Sequence, residues 1–202
     1  DRDTGNFARY RHTWNQKDFL DLYKVNADSV SMNVVTKFGE DVNTRLHESA
    51  SVVTKDGQTL YFTRNNLVEG KYIKDDKGII RLKIFRAKMI DGVWGEIEEL
   101  PFNSDAYSVA NPVLSPDEKT LYFASDMPGT LGLSDIFMVG INDDGTFSAP
   151  INLGANINTE ARETFPFVTD NEILYFSSDG HPGLGGLDVF ATKIKRKDFS
   201  GK

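Results

Sequence analysis

Ser115-Pro116-Asp117-Glu118-Lys119-Thr120-Leu121-Tyr122-Phe123-Ala124-Ser125-Asp126, with Asp135-Ile136-Phe137 nine residues on, decides the fold. Asp117 leads a turn, because its carboxylate bonds nearby backbone amides and so favours a chain reversal. Leu-Tyr-Phe then has the aromatic, apolar character of a strand, and Ser-Asp ends it. The tripeptide recurs at Leu60 to Phe62 and Leu174 to Phe176, at spacings of 61 and 53 residues. Each copy follows an Asp-led turn, at Asp56-Gly57, Asp117-Glu118 and Asp170-Asn171. Each precedes a second apolar segment, ending in Ile84-Phe85, Ile136-Phe137 or Val189-Phe190. A further copy of that segment, Asp21-Leu22-Tyr23, has no Leu-Tyr-Phe before it. From its last aromatic to the next Leu-Tyr-Phe aromatic the distances are 39, 38 and 39 residues, too regular for chance.

One more turn and strand lie between these points, in Asp91-Gly92-Val93-Trp94 and Asp144-Gly145-Thr146-Phe147. Each unit thus holds four strands: A (Asn111 to Leu114), B (Leu121 to Ala124), C (Asp135 to Val139) and D (Phe147 to Leu153). No helical periodicity runs beyond two turns. Repeated four-stranded units of about 40 to 50 residues are the signature of an all-β protein of propeller type. A β-sandwich would not explain the recurrence in register. The expected organisation is one propeller region, 1–202, with 1–40 closing one blade, 41–100 and 101–153 forming two, and 154–202 forming most of another. Asp1 to Gly5 reads like the loop after strand B and Phe199 to Lys202 like the turn before strand D. The expectation is therefore a section of a larger, about six-bladed ring, the alternative being a closed four-bladed one.

The segments Ser115 to Phe137 and Leu153 to Phe190 resemble the TolB-type, WD40-like propeller repeat, whose core is Ser-Pro-Asp, a Tyr-Phe strand, Ser-Asp and Asp-Ile-Tyr/Phe. They are most similar to the copies in OmpA-family outer-membrane lipoproteins of Gram-negative bacteria, some of which serve gliding and type IX secretion machinery. The likeness weakens at Lys83, which stands where Asp21, Asp135 and Asp188 stand in the other copies. The resemblance implies a periplasmic, outer-membrane-associated protein whose partners are proteins or peptidoglycan-associated components of the envelope. The accessory domains of that family have no counterpart in these residues, so their activities do not carry over.

Composition narrows the chemistry. A net charge of −7 argues against a nucleic-acid or anionic-membrane surface, which needs an excess of Lys and Arg. No apolar run approaches the ~18 residues of a membrane helix, so this segment is not expected to insert in a membrane. Without Cys there is neither a disulfide nor a thiolate zinc site. No Gly-x-Ser-x-Gly elbow occurs. Gly183-Leu184-Gly185-Gly186 precedes a strand rather than the helix N-terminus of a phosphate loop. Asn142 to Gly145 lacks the ligand spacing of a calcium loop and reads as a tight hairpin. The expectation is no cofactor, no metal and no catalytic group.

Antiparallel strands put the B-to-C and D-to-A loops on one face. Loops on a rigid scaffold usually carry binding, and the irregularities gather here. Phe62 to Phe85 spans 23 residues against 14 in the other two copies, an insertion of nine within Asn65 to Arg81. A second long loop covers Asp1 to Asp18 and holds the one basic and aromatic cluster, Phe7 to Trp14. The candidate partner-binding residues are Arg9, Tyr10 and Trp14, Lys71 and Tyr72 of the insertion, and Asp126, Asp179 and His181 of the repeat loops. Stacking and cation-π contacts would suit the first three to a glycan or peptide. The pairs Asp126/Asp135 and Asp179/Asp188 have the chemistry of metal ligands or catalytic acids. Their repetition favours structural bonds, since every blade must pair the same loop amides. Glu48 and Glu163, each four residues after a Thr, are expected to cap loop amides, with Ser108 in that place in the middle copy. The expected function is a non-catalytic binding or scaffolding module, and the alternative a propeller-fold hydrolase or lyase acting on glycan or peptide.

Overall fold

The computed structural model describes residues 20–25, 35–39, 41–44, 47–68 and 71–194. The Phe7 to Trp14 cluster, and with it Arg9, Tyr10 and Trp14, lies outside them. The described chain is all β. A hairpin of β1 (Tyr23–Val25) and β2 (Val35–Lys37) comes first. A four-stranded antiparallel sheet follows, from β3 (Glu48–Val53), β4 (Thr59–Asn65), β7 (Leu82–Ile90) and β8 (Val93–Glu99). Within its B-to-C connection sits a small hairpin, β5 (Leu67–Val68) and β6 (Lys71–Tyr72). The second four-stranded sheet comprises β9 (Val109–Leu114), β10 (Thr120–Ser125), β11 (Asp135–Gly140) and β12 (Ile151–Asn152). The third has β13 (Glu163–Val168), β14 (Ile173–Ser178) and β15 (Asp188–Lys193). These meandering sheets, packed face to face, are blades of a β-propeller.

The tripeptide builds that packing. Alternate side chains of a strand point to opposite faces, so Leu and Phe turn one way and Tyr the other. Leu121 and Phe123 pack with Phe137 and Val139 against Tyr61 and Ile84 of the blade before. Tyr122 packs from the other side of the same sheet against Leu174 and Phe176 of the blade after. Leu60 and Phe62 meet Leu22, Phe38 and Trp94 in the same manner. The aromatics stack: Phe102 on Phe123 at 4.9 Å between centroids, Phe123 on Phe137 at 6.1 Å, Phe38 on Trp94 at 6.3 Å. Phe147 meets Tyr61 and Phe102 edge-on, and Phe190 lies beside Phe176. On β13 to β15 the face that, in the two earlier sheets, packs on the following blade is exposed: Val189 is 71% exposed where its equivalents Ile84 and Ile136 are fully buried.

Strand D of the second sheet is shorter than the sequence suggests. Only Ile151–Asn152 pairs with β11, with an isolated bridge from Ile141 to Phe147. Pro150, which has no N–H to give a ladder, stands in the middle of the expected Phe147 to Leu153 strand. The first sheet has no proline there, and β8 runs seven residues.

Each inner strand also breaks register at one point. Between Ser49 and Ser51, before Pro112, and between Thr164 and Phe167, a bulge places Ala50, Asn111 and Phe165 in the left-handed region, at φ of 36°, 59° and 49°. Such bulges bend an edge strand and raise its twist. The three line one cavity of about 240 Å³ along the inner edges of the blades. Cross-blade bonds link them: Asn111 N–H donates to Thr63 Oγ1 at 3.0 Å, and Thr164 Oγ1 to Asn111 Oδ1 at 3.2 Å.

Candidate functional site

The recurring polar residues of the B-to-C and D-to-A face turn inward. Asp126 Oδ1 accepts the Ser108 N–H at 2.6 Å, and Asp179 Oδ1 accepts the Arg162 N–H at 2.7 Å. In the first sheet Asn65 Oδ1 accepts the His47 N–H at 3.3 Å. All three tie the end of strand B to the residue preceding strand A. His181 packs its ring on Phe190 at 5.0 Å and on Phe176 at 5.8 Å. Its Nε2 lies 2.8 Å from the Ile157 carbonyl, and because a carbonyl only accepts, that nitrogen carries the proton. The glycine-rich loop encloses its own anion: Gly185 N–H donates to Asp188 Oδ2, and a Cβ on Gly183 would fall 1.9 Å from that oxygen.

An asparagine clamp fixes each D-to-A loop. Asn158 Oδ1 accepts the Ile136 N–H at 2.8 Å while its Nδ2 donates to the Ile136 carbonyl at 3.0 Å. Asn103 brackets Ile84 in the same way, and Asn43 brackets Leu22. Asn43 and Asn158 stand five residues before Glu48 and Glu163, a spacing that Asn103 does not share. The loop from Asn103 to strand A is one residue longer than its counterparts, which also misplaced Ser108. Strand register sets Val109 opposite Ser125 as Glu163 lies opposite Ser178, so Val109 holds the Glu place in the middle copy.

The two glutamates differ in surroundings. Glu163 Oε1 accepts from Thr159 Oγ1 and Ser178 Oγ, and Oε2 accepts the Thr159 N–H. Glu48 has Thr44 Oγ1 at 2.5 Å, but Arg64 replaces the serine opposite it, and its buried Oε2 has no hydrogen-bond partner among the described residues. Burial away from water pushes the Glu48 carboxyl up to about 7, against the pull of the Thr44 bonds and the Arg64 charge.

Lys83 explains its own departure from the repeat. Asp135, fully buried, accepts from Leu131 N–H and Asn152 Nδ2. In the blade before, Lys83 takes the Asp place and Glu99 the Asn place, for Phe85 pairs with Glu99 as Phe137 pairs with Asn152. The charge is reversed and matched: Lys83 Nζ lies 2.8 Å from Glu99 and 2.7 Å from Asp105.

The inserted loop supplies what does not repeat. Asp75 Oδ1 accepts the Lys77 and Ile79 N–H groups, shaping a tight turn, and these bonds with Arg81 hold its carboxyl below the usual range. Arg81 donates from Nε to Asp75 at 2.7 Å and from a terminal nitrogen to Asp126 at 2.8 Å. One guanidinium thus anchors the loop to the next blade. Asn66 Nδ2 donates to Asp105 Oδ1 at 2.6 Å. Between this loop and Asp105 opens a cavity of about 260 Å³, with Arg81 at its wall and Lys74, Asp76 and Lys77 exposed around it. Lys71 and Tyr72, in β6, are exposed on the same loop. Among the described residues no three His, Asp or Glu side chains converge to hold a metal ion. No helix long and apolar enough to cross a membrane occurs among the described residues.

No family model matches the chain, and no curated protein matches it in sequence. Solved structures do. A point mutant of puromycin hydrolase complexed with PGG aligns at 18% identity and a TM-score of 0.51, over 79% of this chain and 24% of its own. A puromycin-hydrolysing peptidase of Mycobacterium tuberculosis aligns at 17% identity and 0.49, over 75% and 22%. A putative TolB from Agrobacterium tumefaciens aligns at 16% identity and 0.42, over 87% and 75%. The chain spans about a quarter of the length of the two hydrolases. At such identity the likeness to the first concerns fold, which agrees with the β-propeller that the sheets form.

Proposed function

We propose that these residues form a non-catalytic binding section of a cell-envelope protein, periplasmic and outer-membrane associated, that docks protein or peptidoglycan-associated partners on its B-to-C and D-to-A face. The observation that carries the proposal is a division of labour on that face. Asp126, Asp179, Asn158 and His181 are bonded to backbone groups of the scaffold itself, while the side chains of Lys71, Tyr72, Lys74, Asp76 and Lys77 on the inserted loop face solvent. A nucleophile or general base needs a group poised toward substrate, whereas these carboxylates are turned to backbone amides. Compartment and the link to outer-membrane assemblies, including gliding and type IX secretion machinery, rest on the resemblance of Ser115 to Phe137 and Leu153 to Phe190 to the OmpA-family repeats.

Crosslinking capture from envelope extracts tests it, with the Lys71→Glu/Tyr72→Ala double variant beside Asp143→Ala/Asp144→Ala on the opposite turn. Capture falls with the first pair and persists with the second. Equal capture by wild type and the Lys71/Tyr72 variant moves the interface elsewhere. Peptide or glycan turnover that disappears in Asp126→Ala or Asp179→Ala makes the chain an enzyme and ends the scaffold reading.

A further inference from the structure

We propose that two copies of this chain join head to tail, the Tyr175 and Val189 face of β13 to β15 in one packing on the β1–β2 hairpin of the other, and that the two contacts so made close a ring.

Two unmatched faces carry the proposal. In the earlier sheets the residues of strands B and C that point on toward the next blade are buried by it: Tyr61 and Ile84 in the first, Tyr122, Ile136 and Met138 in the second. Their equivalents in the third sheet are Tyr175, Val189 and Ala191. Strand register sets these on one face with Phe167. Among the described residues no strand covers that face, and Phe167 is 58% exposed. The opposite end of the chain shows the converse. Phe85 and Ala87, like Phe137 and Val139, pack back on the blade before. Tyr23 and Val25 stand at the same distances after Asp21 as Phe85 and Ala87 after Lys83. Register puts Val35 on their face, while Leu22 and Phe38 turn the other way into the packed side of the hairpin. Tyr23 is 56% exposed, and Val25 and Val35 are exposed beside it.

The chain thus holds both halves of the contact that joins its own sheets, one at each end. A second copy brings the missing half to each, and the new contact continues the packing already made between blades. Contiguous apolar faces of this kind are rare on a chain that works alone. Phe167 and Tyr175, with ring centroids 6.5 Å apart, are aromatic anchors of the type that dominates interfaces. Like faces do not meet within the chain: the side that bears Tyr and Ile always packs on the side that bears Leu and Phe. The same rule makes the contact between copies head to tail, and such a contact closes only when its rotations complete a turn. One hairpin and three sheets give each copy four blade positions. Two copies fill a ring at the upper end of the ~4 to 8 blades that propellers adopt, and three copies overfill it.

Light scattering and sedimentation of the 202-residue chain from about 1 to 100 µM test the proposal, and a particle of twice the chain's mass is expected. Val189→Asp spoils one side of each contact and Tyr23→Asp the other. Each variant alone should be a monomer, its dissociation constant raised at least about tenfold. Both side chains are exposed, so circular dichroism should match wild type. Mixed together, the two variants keep one sound contact, between the hairpin of the Val189→Asp copy and the sheet of the Tyr23→Asp copy, and should pair again. Lys71→Glu/Tyr72→Ala, on the loop face, should leave the mass unchanged. A monomer at about 100 µM, or a mass that climbs without limit, overturns the proposal. So does a pair that Val189→Asp abolishes and Tyr23→Asp leaves intact, because like sheet faces are then meeting. Loss of the pair in the Lys71/Tyr72 variant moves the contact to the loop face and overturns it equally.

Discussion

Removing the charge of Glu48 should change how stability depends on pH. Glu48 is 1% exposed and accepts from Thr44, and burial raises its carboxyl from 4.5 to about 7. A raised carboxyl retains, in the folded state, a proton that the unfolded chain has already released. Its contribution is therefore fully present below pH 4.5 and is lost as pH rises through about 7. A gap of about 2.5 pH units at about 1.36 kcal/mol each amounts to about 3 kcal/mol. Glu48→Gln keeps the shape of the protonated side chain and cannot ionise. Urea unfolding of both proteins between about pH 4.5 and 8 measures the difference, in which all other titrations cancel. The variant should match wild type at the acid end and exceed it by about 3 kcal/mol at the alkaline end. Parallel curves, or a gain confined to acid, would refute the reasoning, since either requires a carboxylate at ease when charged.

Phe123→Ala removes a fully buried ring stacked on Phe102 and Phe137, and should cost about 3 to 5 kcal/mol by urea unfolding. A loss under about 1 kcal/mol would mean that the blades are not joined through this strand. Asn158→Ala orphans the Ile136 N–H and leaves its C=O with the Leu153 N–H alone, and about 2 kcal/mol is expected, with faster amide exchange at Ile136 as the local signature. Lys83→Asp sets a third acid beside Glu99 and Asp105, and should destabilise more alone than with Glu99→Asn, which restores the pair seen in the next blade. A double-mutant cycle should give at least about 1 kcal/mol of favourable coupling, and additivity would show that the two positions do not act together.

Much of this was legible in the residues. The period of Leu-Tyr-Phe announced the blades, because a sheet packed on both faces needs apolar groups at every position of its central strands, and that need returns with each copy. The excess of nine residues between Phe62 and Phe85 located the loop that carries the cavity. Local turns were equally open to reading: Asn142 to Gly145 closes as a hairpin through the Asp144 carboxylate and a left-handed Gly145. Such features depend on neighbours in sequence.

What tertiary structure alone decided depends on residues far apart in the chain. Nothing near Lys83 reveals that Glu99 and Asp105 would meet it, since those contacts arise only when strand D and the next D-to-A loop fold against β7. Asn103 was hidden by a loop one residue longer, because spacing is kept in the strands and relaxed between them. The fate of Asp126 was open as well. Its sequence is that of a ligand or a catalytic acid, and only the arrival of Arg81 from the inserted loop and of the Ser108 amide turns it to a structural bond. The sequence determined the repeat, since periodicity is a local property of burial. The pairing of charges fell to the fold, for Coulomb attraction and hydrogen bonds act over a few ångströms, and only the packed blades set which groups come that close.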